Sequence, residues 1–463
     1  MKKRPHILLY MTDQQNADTI GERGLCHTPH LNRLMKDGVT FASAFTNCPM
    51  CTPARATALT GLHPHQHKLI QNSHSHMAFV NKLDPETETL GTALRREGYH
   101  TVYAGKWHIG STGPEEHGFA EKLHLAKPAA EPEITPVVTL KKRYGDEVLA
   151  GTTAEWEHTE SFRLSAAVSD WLDRRSDEDD PFFLFASCIE PHVPWIAPKA
   201  YSDKYNPELM QEWDNFRDDY RDKPTTFTKH GGNANFCRMN NDWDRTASAL
   251  SCYYGTVTML DEAFGSIVDK LKEKGLFDDT VIIFTSDHGE LMGRHGLVGK
   301  NELALEDLIR IPLVMYWKGH FMPGVCESFI TLTDLFNTVM ELADAPRREQ
   351  LDSLSYVPCL RGERFKGREE VFVEHHGATV TLNVVRAVRT GRFKYVFRVH
   401  EVDELYDLAN DPQEMTNLFR DPAYRETVWE MRGKLLAWAE ETDDFALNTL
   451  RSFFDNPELD AFV

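Results

Sequence analysis

A few short clusters in this chain carry side chains that can do chemistry together. In Cys51-Thr52-Pro53-Ala54-Arg55, Pro53 suits a first helical turn, where its missing N–H removes no bond, and Gly61 suits the helix end. A helix starting there turns its unpaired N–H groups toward Cys51 and sets Arg55 one turn on, an arrangement that binds anions. Asp13-Gln14 and Asp287-His288 are two adjacent pairs far apart in the sequence. If they converge, they offer three or more oxygens and one imidazole, a donor set for a hard divalent cation. Lys106 and His108 are two apart, so on extended backbone both point the same way and can reach one anion. His192, in Pro191-His192-Val193-Pro194, and Lys300, after Leu297-Val298-Gly299, extend the cationic set.

These residues need a frame. Short apolar runs at 6–11, 100–104, 182–188, 281–285 and 312–316 are rich in β-branched and aromatic residues and read as buried parallel strands. Helical stripes separate several of them: Leu164, Ala167, Val168, Trp171 and Leu172 share one face, and Val257, Leu260, Phe264, Ile267 and Leu271 share another that stops near Gly275. The alternation predicts an α/β fold with a large, mostly parallel sheet flanked by helices. Ligands in such sheets bind beyond the carboxyl ends of the strands. The first run ends in Asp13-Gln14, the second in Gly105-Lys106-Trp107-His108, the third in Glu190-Pro191-His192 and the fourth in Ser286-Asp287-His288-Gly289-Glu290. Reactive side chains at four strand ends place the site on one edge of the sheet.

Residues 112–160 and 199–245 are polar and aperiodic, and are expected as long loops over the rim of that site. After about residue 345 the composition turns loop-like. A smaller α+β subdomain with an antiparallel sheet is expected to follow, with a hairpin of 379–389 and 393–399 turning at Thr390-Gly391-Arg392 and a helix carrying Val428, Met431, Leu435 and Trp438 on one face. The predicted division is a catalytic domain over 1–365 and a C-terminal subdomain over 366–463.

The chain has 463 residues, 41% hydrophobic and 26% charged, an ordinary globular balance that can bury a large core. Its net charge of −20 repels nucleic acid at distance, although a single small anion can still bind where cations cluster. No run approaches the roughly 18 apolar residues that span a bilayer, and the run at 7–11 is too short for a secretory leader. The expectation is a cytoplasmic protein without membrane or nucleic-acid partners. Its eight cysteines are scattered without disulfide or zinc-like spacing.

With those residues in view, Cys51-Thr52-Pro53-Ala54-Arg55 followed by Leu59-Thr60-Gly61 resembles the signature of the sulfatase family, within the alkaline phosphatase-like superfamily. In that family the cysteine is converted after translation to formylglycine, which acts as the nucleophile. The resemblance extends from Asp13 to Lys300 and on to Glu404-Leu405-Tyr406-Asp407-Leu408 and Asp411-Pro412-Gln413-Glu414 near the end. It implies one divalent cation held by Asp13, Gln14, Asp287, His288 and residue 51. Gln14 stands where many members have a second Asp, and His288 where many have Asn; calcium leads, and the added nitrogen keeps manganese as the second candidate. By the same resemblance Arg55 activates the nucleophile, Lys106 and His108 meet the sulfate and the nucleophile, and His192 and Lys300 serve the leaving-group side. His65, His295 and Trp195 are the candidates for lining the substrate pocket, with His65 also fitting a supporting layer. Ala54 stands where the family more often has Ser, which leaves open which formylglycine-generating maturase acts on Cys51.

The activity implied is hydrolysis of a sulfate monoester on a small or carbohydrate substrate. A phosphonate or phosphate ester hydrolase of the same superfamily is the alternative, because its metal pairs are similar. A binding protein with an unmodified Cys51 is the third reading, and it has no need of both His108 and His192. The aromatic tail Phe453-Phe454 and Phe462-Val463 is expected to dock either on a neighbouring subunit, in a homo-oligomer, or on its own core.

Overall fold

The first apolar run becomes a central strand, β1 (His6–Thr12), buried over its whole length. A computed structural model of the chain describes residues 4–21, 24–75, 78–128, 132–141, 145–176, 180–228, 236–300, 302–377 and 383–455. The strands of the main sheet are then β2 (Val39–Phe41), β3 (His100–Gly105), β4 (Glu121–Leu123), β5 (Phe182–Ser187), β6 (Thr280–Ser286), β7 (Leu313–Tyr316) and β8 (Gly324–Cys326). Their spatial order is β8-β2-β7-β6-β1-β5-β3-β4. β1 pairs in parallel with both β5 and β6, and β3 pairs in parallel with β4 and β5.

The fifth run departs from expectation. β7 lies antiparallel to β6, with Ile283 opposite Met315. An apolar run signals burial on both faces but not direction, and here residues 287–312 return the chain to the sheet from the same edge that Ser286 left.

Period-two alternation sends Ile7, Leu9 and Met11 into one core layer and Leu8 and Tyr10 into the other. The first layer packs against α1 (Cys51–Thr60) and residues 334–342, through Ala54, Ala58, Leu59, Leu335, Phe336 and Val339. The second packs against α2 (Glu160–Asp173) and α3 (Trp243–Glu273), through Leu164, Val168, Trp171, Leu260, Phe264 and Ile267. Both predicted stripes are therefore the core faces of helices, except that Ala167 stays half-buried at the stripe's margin.

The rim segments are not all loop. Ile134–Leu140 and Glu147–Thr153 pair antiparallel, and Trp195–Pro198 adds a parallel third strand. Their β-branched content was masked by Pro136 and by a register shift beside Val138, which break the period-two signal.

The C-terminal subdomain is an antiparallel sheet in the order β9 (Glu370–His375), β10 (Val385–Thr390), β11 (Phe393–Arg398) and β12 (Glu404–Asp407). The predicted hairpin is present from Val385, with Arg389 opposite Lys394 across the turn; residues 379–382 lie outside the described residues. Helix α4 (Arg425–Glu441) buries Val428, Met431, Leu435 and Trp438 on that sheet. Phe453 and Phe454 pack against Phe397, with ring centroids 5.4 and 5.3 Å apart, so this part of the tail docks on its own core; Phe462 and Val463 lie outside the described residues.

Cys326 and Cys359, 33 positions apart, are paired by the fold, whereas the other six cysteines are free and buried. Their spacing carries no motif, so only the folded chain shows the pair. Among the described residues no helix is long and apolar enough to cross a membrane.

Candidate active site

Helix α1 begins at Cys51 and ends at Gly61, whose left-handed φ of 69° lets its N–H close on the Thr57 carbonyl. The whole helix is buried, so its N-terminal turn presents Cys51 to the interior, at the carboxyl edge of the sheet. Asp13 and Gln14 follow β1 and Asp287 and His288 follow β6, adjacent parallel strands whose register sets Thr12 opposite Ser286. Strand pairing thus turns two distant pairs into neighbours: the Gln14 N–H donates to Asp287 Oδ1 at 3.0 Å, and the Asp287 N–H is bonded to the Thr12 carbonyl.

Donor atoms of Asp13, Cys51, Asp287 and His288 all lie within 4.8 Å of one another, and all four residues are buried. Around Asp13 Oδ1 stand Cys51 Sγ at 3.6 Å, His192 Nε2 and Lys300 Nζ at 3.9 Å and His288 Nε2 at 4.0 Å. Its other oxygen accepts from Lys106 Nζ at 2.6 Å and from Arg55 at 2.8 Å. Arg55 also donates to Asp287 Oδ2 at 2.9 Å and to Ser187 Oγ. Lys300 Nζ donates to Gln14 Oε1 at 2.7 Å and lies 3.0 Å from Cys51 Sγ.

This donor set fits a divalent cation. His288 Nδ1 donates to the Gly289 carbonyl at 2.9 Å, which leaves the Nε2 lone pair directed at Cys51 Sγ and Asp13. Two carboxylates, the Gln14 amide oxygen and this nitrogen make an oxygen-rich set beside Cys51 Sγ. Gly289 is needed where it stands, because a Cβ would come 2.0 Å from the Asp307 carbonyl oxygen.

The charges are mutually dependent. Burial resists ionisation of Asp13, but Lys106, Arg55, His192 and Lys300 outweigh it and hold the carboxyl well below its usual range. Burial and the charge of Asp13 push Asp287 up, against His288 and Arg55, the behaviour of a second carboxylate waiting for positive charge. At Cys51, burial and Asp13 oppose ionisation, yet Lys106, Lys300 and His288 together hold the thiol well below its usual range. Such a position stabilises an anionic or strongly polarised group.

Lys106 and His108 leave β3 through Gly105, whose φ of 87° and 2.0 Å approach of a would-be Cβ to the Ser187 carbonyl oxygen exclude a side chain. His192 donates from Nδ1 to the Val193 carbonyl, leaving Nε2 toward the site, and burial and Lys300 lower its affinity for a proton.

The three pocket candidates are engaged in other contacts. Trp195 is fully buried in a hydrophobic cluster, its ring 4.9 Å from that of Tyr253. His65 Nδ1 bonds Glu374 at 2.9 Å and its Nε2 faces the Thr442 carbonyl at 3.1 Å, which ties residues 64–67 to the C-terminal subdomain. His295 is buried against Asp218, 2.7 Å from Nδ1, beside Phe227. Two contributors escaped sequence reasoning. Glu290 receives the Gln14 amide and the N–H groups of Met292 and Gly299; its place three residues beyond Asp287 was a visible signal. Ser187 closes an apolar run and had none.

The family model described as Sulfatase matches residues 5–345, and one described as N-sulphoglucosamine sulphohydrolase, C-terminal, matches residues 293–441. The chain is 29% identical to the uncharacterized sulfatase YidJ of Escherichia coli strain K12, over 96% of this chain and 88% of that protein. It is 27% identical to the choline-sulfatase of Rhizobium meliloti, over 90% of this chain and 83% of the relative. The crystal structure of the phosphonate monoester hydrolase of Agrobacterium radiobacter superimposes with a TM-score of 0.76 at 25% identity, covering 95% of this chain and 96% of that one.

Proposed function

This chain belongs to the sulfatase family, and from that premise we propose that it hydrolyses a sulfate monoester of a small or carbohydrate alcohol, with residue 51 as the nucleophile after conversion to formylglycine. The observation that carries the reading is the meeting of Cys51 Sγ, Asp13, Asp287 and His288 at one helix N-terminus, with Lys300 Nζ 3.0 Å from the sulfur. Calcium is the cation proposed, from the predominance of oxygen donors, and His288 keeps manganese second. When present, the cation would polarise a sulfuryl oxygen and the hydrated aldehyde would supply a hydroxyl nucleophile.

The chain's own residues do the rest. Arg55 bridges Asp13 and Asp287 and holds both carboxylates in place beside position 51. Lys106, on Asp13 Oδ2, and Lys300, beside Cys51 Sγ, offset the charge that develops on the sulfuryl oxygens. His192 offers Nε2 toward the leaving-group side; with Nδ1 committed to the Val193 carbonyl, Nε2 carries a proton only as imidazolium, a state that an adjacent anionic ester favours. His108, whose Nδ1 is buried and without a hydrogen-bond partner among the described residues, serves as the base.

The test is mass spectrometry of the peptide containing residue 51, with rates measured on the same preparation. Conversion lowers the peptide mass by about 18 Da relative to the thiol, and the converted, metal-loaded protein turns over an aryl sulfate faster than a matched phosphonate monoester. A protein that favours the phosphonate would support the second reading, to which the Asp13-Gln14 and Asp287-His288 pairs and the likeness to the Agrobacterium hydrolase also lend weight. Full conversion and metal loading with no turnover of either ester would remove both.

A further inference from the structure

His108 leaves β3 in a left-handed conformation, φ 53°, unusual for a residue with a Cβ. Its ring meets that of His74: Nε2 lies 2.9 Å from Nδ1 of His74, the two imidazoles nearly parallel at 14° with centroids 5.0 Å apart. The other ring nitrogen, Nδ1, is buried and has no hydrogen-bond partner among the described residues. His74 itself is exposed, so its remaining nitrogen can meet water.

The register of this pair is built in at the nucleophile's neighbour. Thr52 donates its N–H to Asn72 Oδ1 at 3.1 Å; its Oγ1 accepts the Ser73 N–H at 3.2 Å and donates to the His108 carbonyl at 2.7 Å. One residue beside Cys51 therefore fixes both the loop that carries His74 and the segment that carries His108.

A neutral imidazole has one N–H and one lone pair, and the bond made by one nitrogen decides the state of the other. Two neutral rings sharing one hydrogen bond have two arrangements. If His74 donates, His108 must carry its proton on Nδ1, a buried donor without an acceptor and useless as a base. If His108 donates, its lone pair lies on Nδ1, facing the interior, and His74 places its own N–H in water. The second arrangement leaves no orphaned N–H. Burial and His108 both disfavour protonation of His74, which keeps its ring neutral, with one lone pair to offer.

We propose that His74 is a positioning residue that accepts the Nε2–H of His108 and so fixes the Nδ1-basic tautomer that hydrolysis needs. The proposal rests on the reading of His108 as the base, and its tautomer can be tested without turnover. In the full-length metal-loaded protein, 15N–1H correlation of the histidine rings is expected to show His108 protonated on Nε2. His74→Phe keeps a flat ring beside His108 but removes the acceptor. It is expected to shift His108 to a mixture of tautomers and to lower kcat by about 10- to 100-fold, the range for losing a side chain that orients another, with KM within about twofold. His74→Ala is expected to behave alike and to regain part of its kcat when free imidazole is added. An Nδ1-protonated His108 in the native protein, an unaltered kcat in His74→Phe, or a change confined to KM would each overturn the proposal. A native protein inert toward every ester would instead remove the functional reading, while the tautomer measurement still decided the pairing.

Discussion

Glu290→Gln exchanges one oxygen for an NH2 group at a fully buried position, and the consequence can be worked out bond by bond. One carboxylate oxygen of Glu290 accepts the N–H groups of Met292 and Gly299, and the other accepts the Gln14 side-chain amide. Those bonds fix which way the Gln14 amide faces, so that its Oε1 turns to Lys300 and the cation site. In the variant, a new amide whose oxygen stays with the two backbone donors sets its NH2 against the NH2 of Gln14. Gln14 then flips and presents nitrogen, which cannot ligate, where oxygen stood. In the opposite orientation the new NH2 faces two backbone N–H groups, each left unsatisfied at about 1–3 kcal/mol. The flip costs Lys300 one acceptor but leaves it beside Cys51 Sγ and Asp13, so it is the cheaper outcome, and losing an oriented ligand is expected to weaken metal binding about 10- to 100-fold, or ~1.4–2.7 kcal/mol. The assay is titration calorimetry with calcium and with manganese on protein freed of metal, alongside thermal melts of the apo forms to establish that the variant is folded. A folded Glu290→Gln protein with wild-type affinity for both ions would refute the reasoning, because it would mean that Gln14 contributes no oxygen.

Other expectations follow from the same geometry. Cys51→Ala should abolish turnover and chelation should suppress it in the native protein, both read with an aryl sulfate; substantial residual activity in the alanine variant would dismiss a covalent role for position 51. Trp195→Ala should cost about 3–5 kcal/mol in chemical denaturation, as for a buried indole, with KM unchanged in the folded fraction; a raised KM would return Trp195 to the substrate pocket. The His65–Glu374 pair should make stability depend on pH. Burial opposes both charges, but Glu374 raises the imidazole, and His65 and Arg386 hold the carboxyl well below its usual range. A raised His pKa adds stability that is complete below the unfolded value near ~6.5 and is lost as pH rises through the folded one. A lowered Glu pKa adds stability that is complete above the unfolded value near ~4.3 and is lost as pH falls through the folded one. The pair therefore supports the fold most between those unfolded values, and the melting temperature of His65→Gln should vary less than wild type from pH 6.5 upward; equal slopes would deny the pair that role.

The sequence by itself determined the α/β plan, the helix from Cys51 to Gly61 and the strand ends that carry Asp13, Lys106, His192 and Asp287, because burial period, capping residues and motif spacing are local properties. It also marked the hairpin across Gly391 and the apolar face of α4. It could not determine the direction of β7, since an apolar run reports burial on both faces but not orientation. Nor could it sort the aromatic and histidine candidates, because a Trp195 that packs on Tyr253 and one that stacks on a sugar have the same local sequence. Only the tertiary structure paired Cys326 with Cys359, set Ser187 on Arg55 and brought His74 onto His108. Each of these is a contact between segments with no shared period, created when the tertiary fold brings distant residues to one place, and the surroundings of Cys51 depend on that placement as much as on the residues themselves.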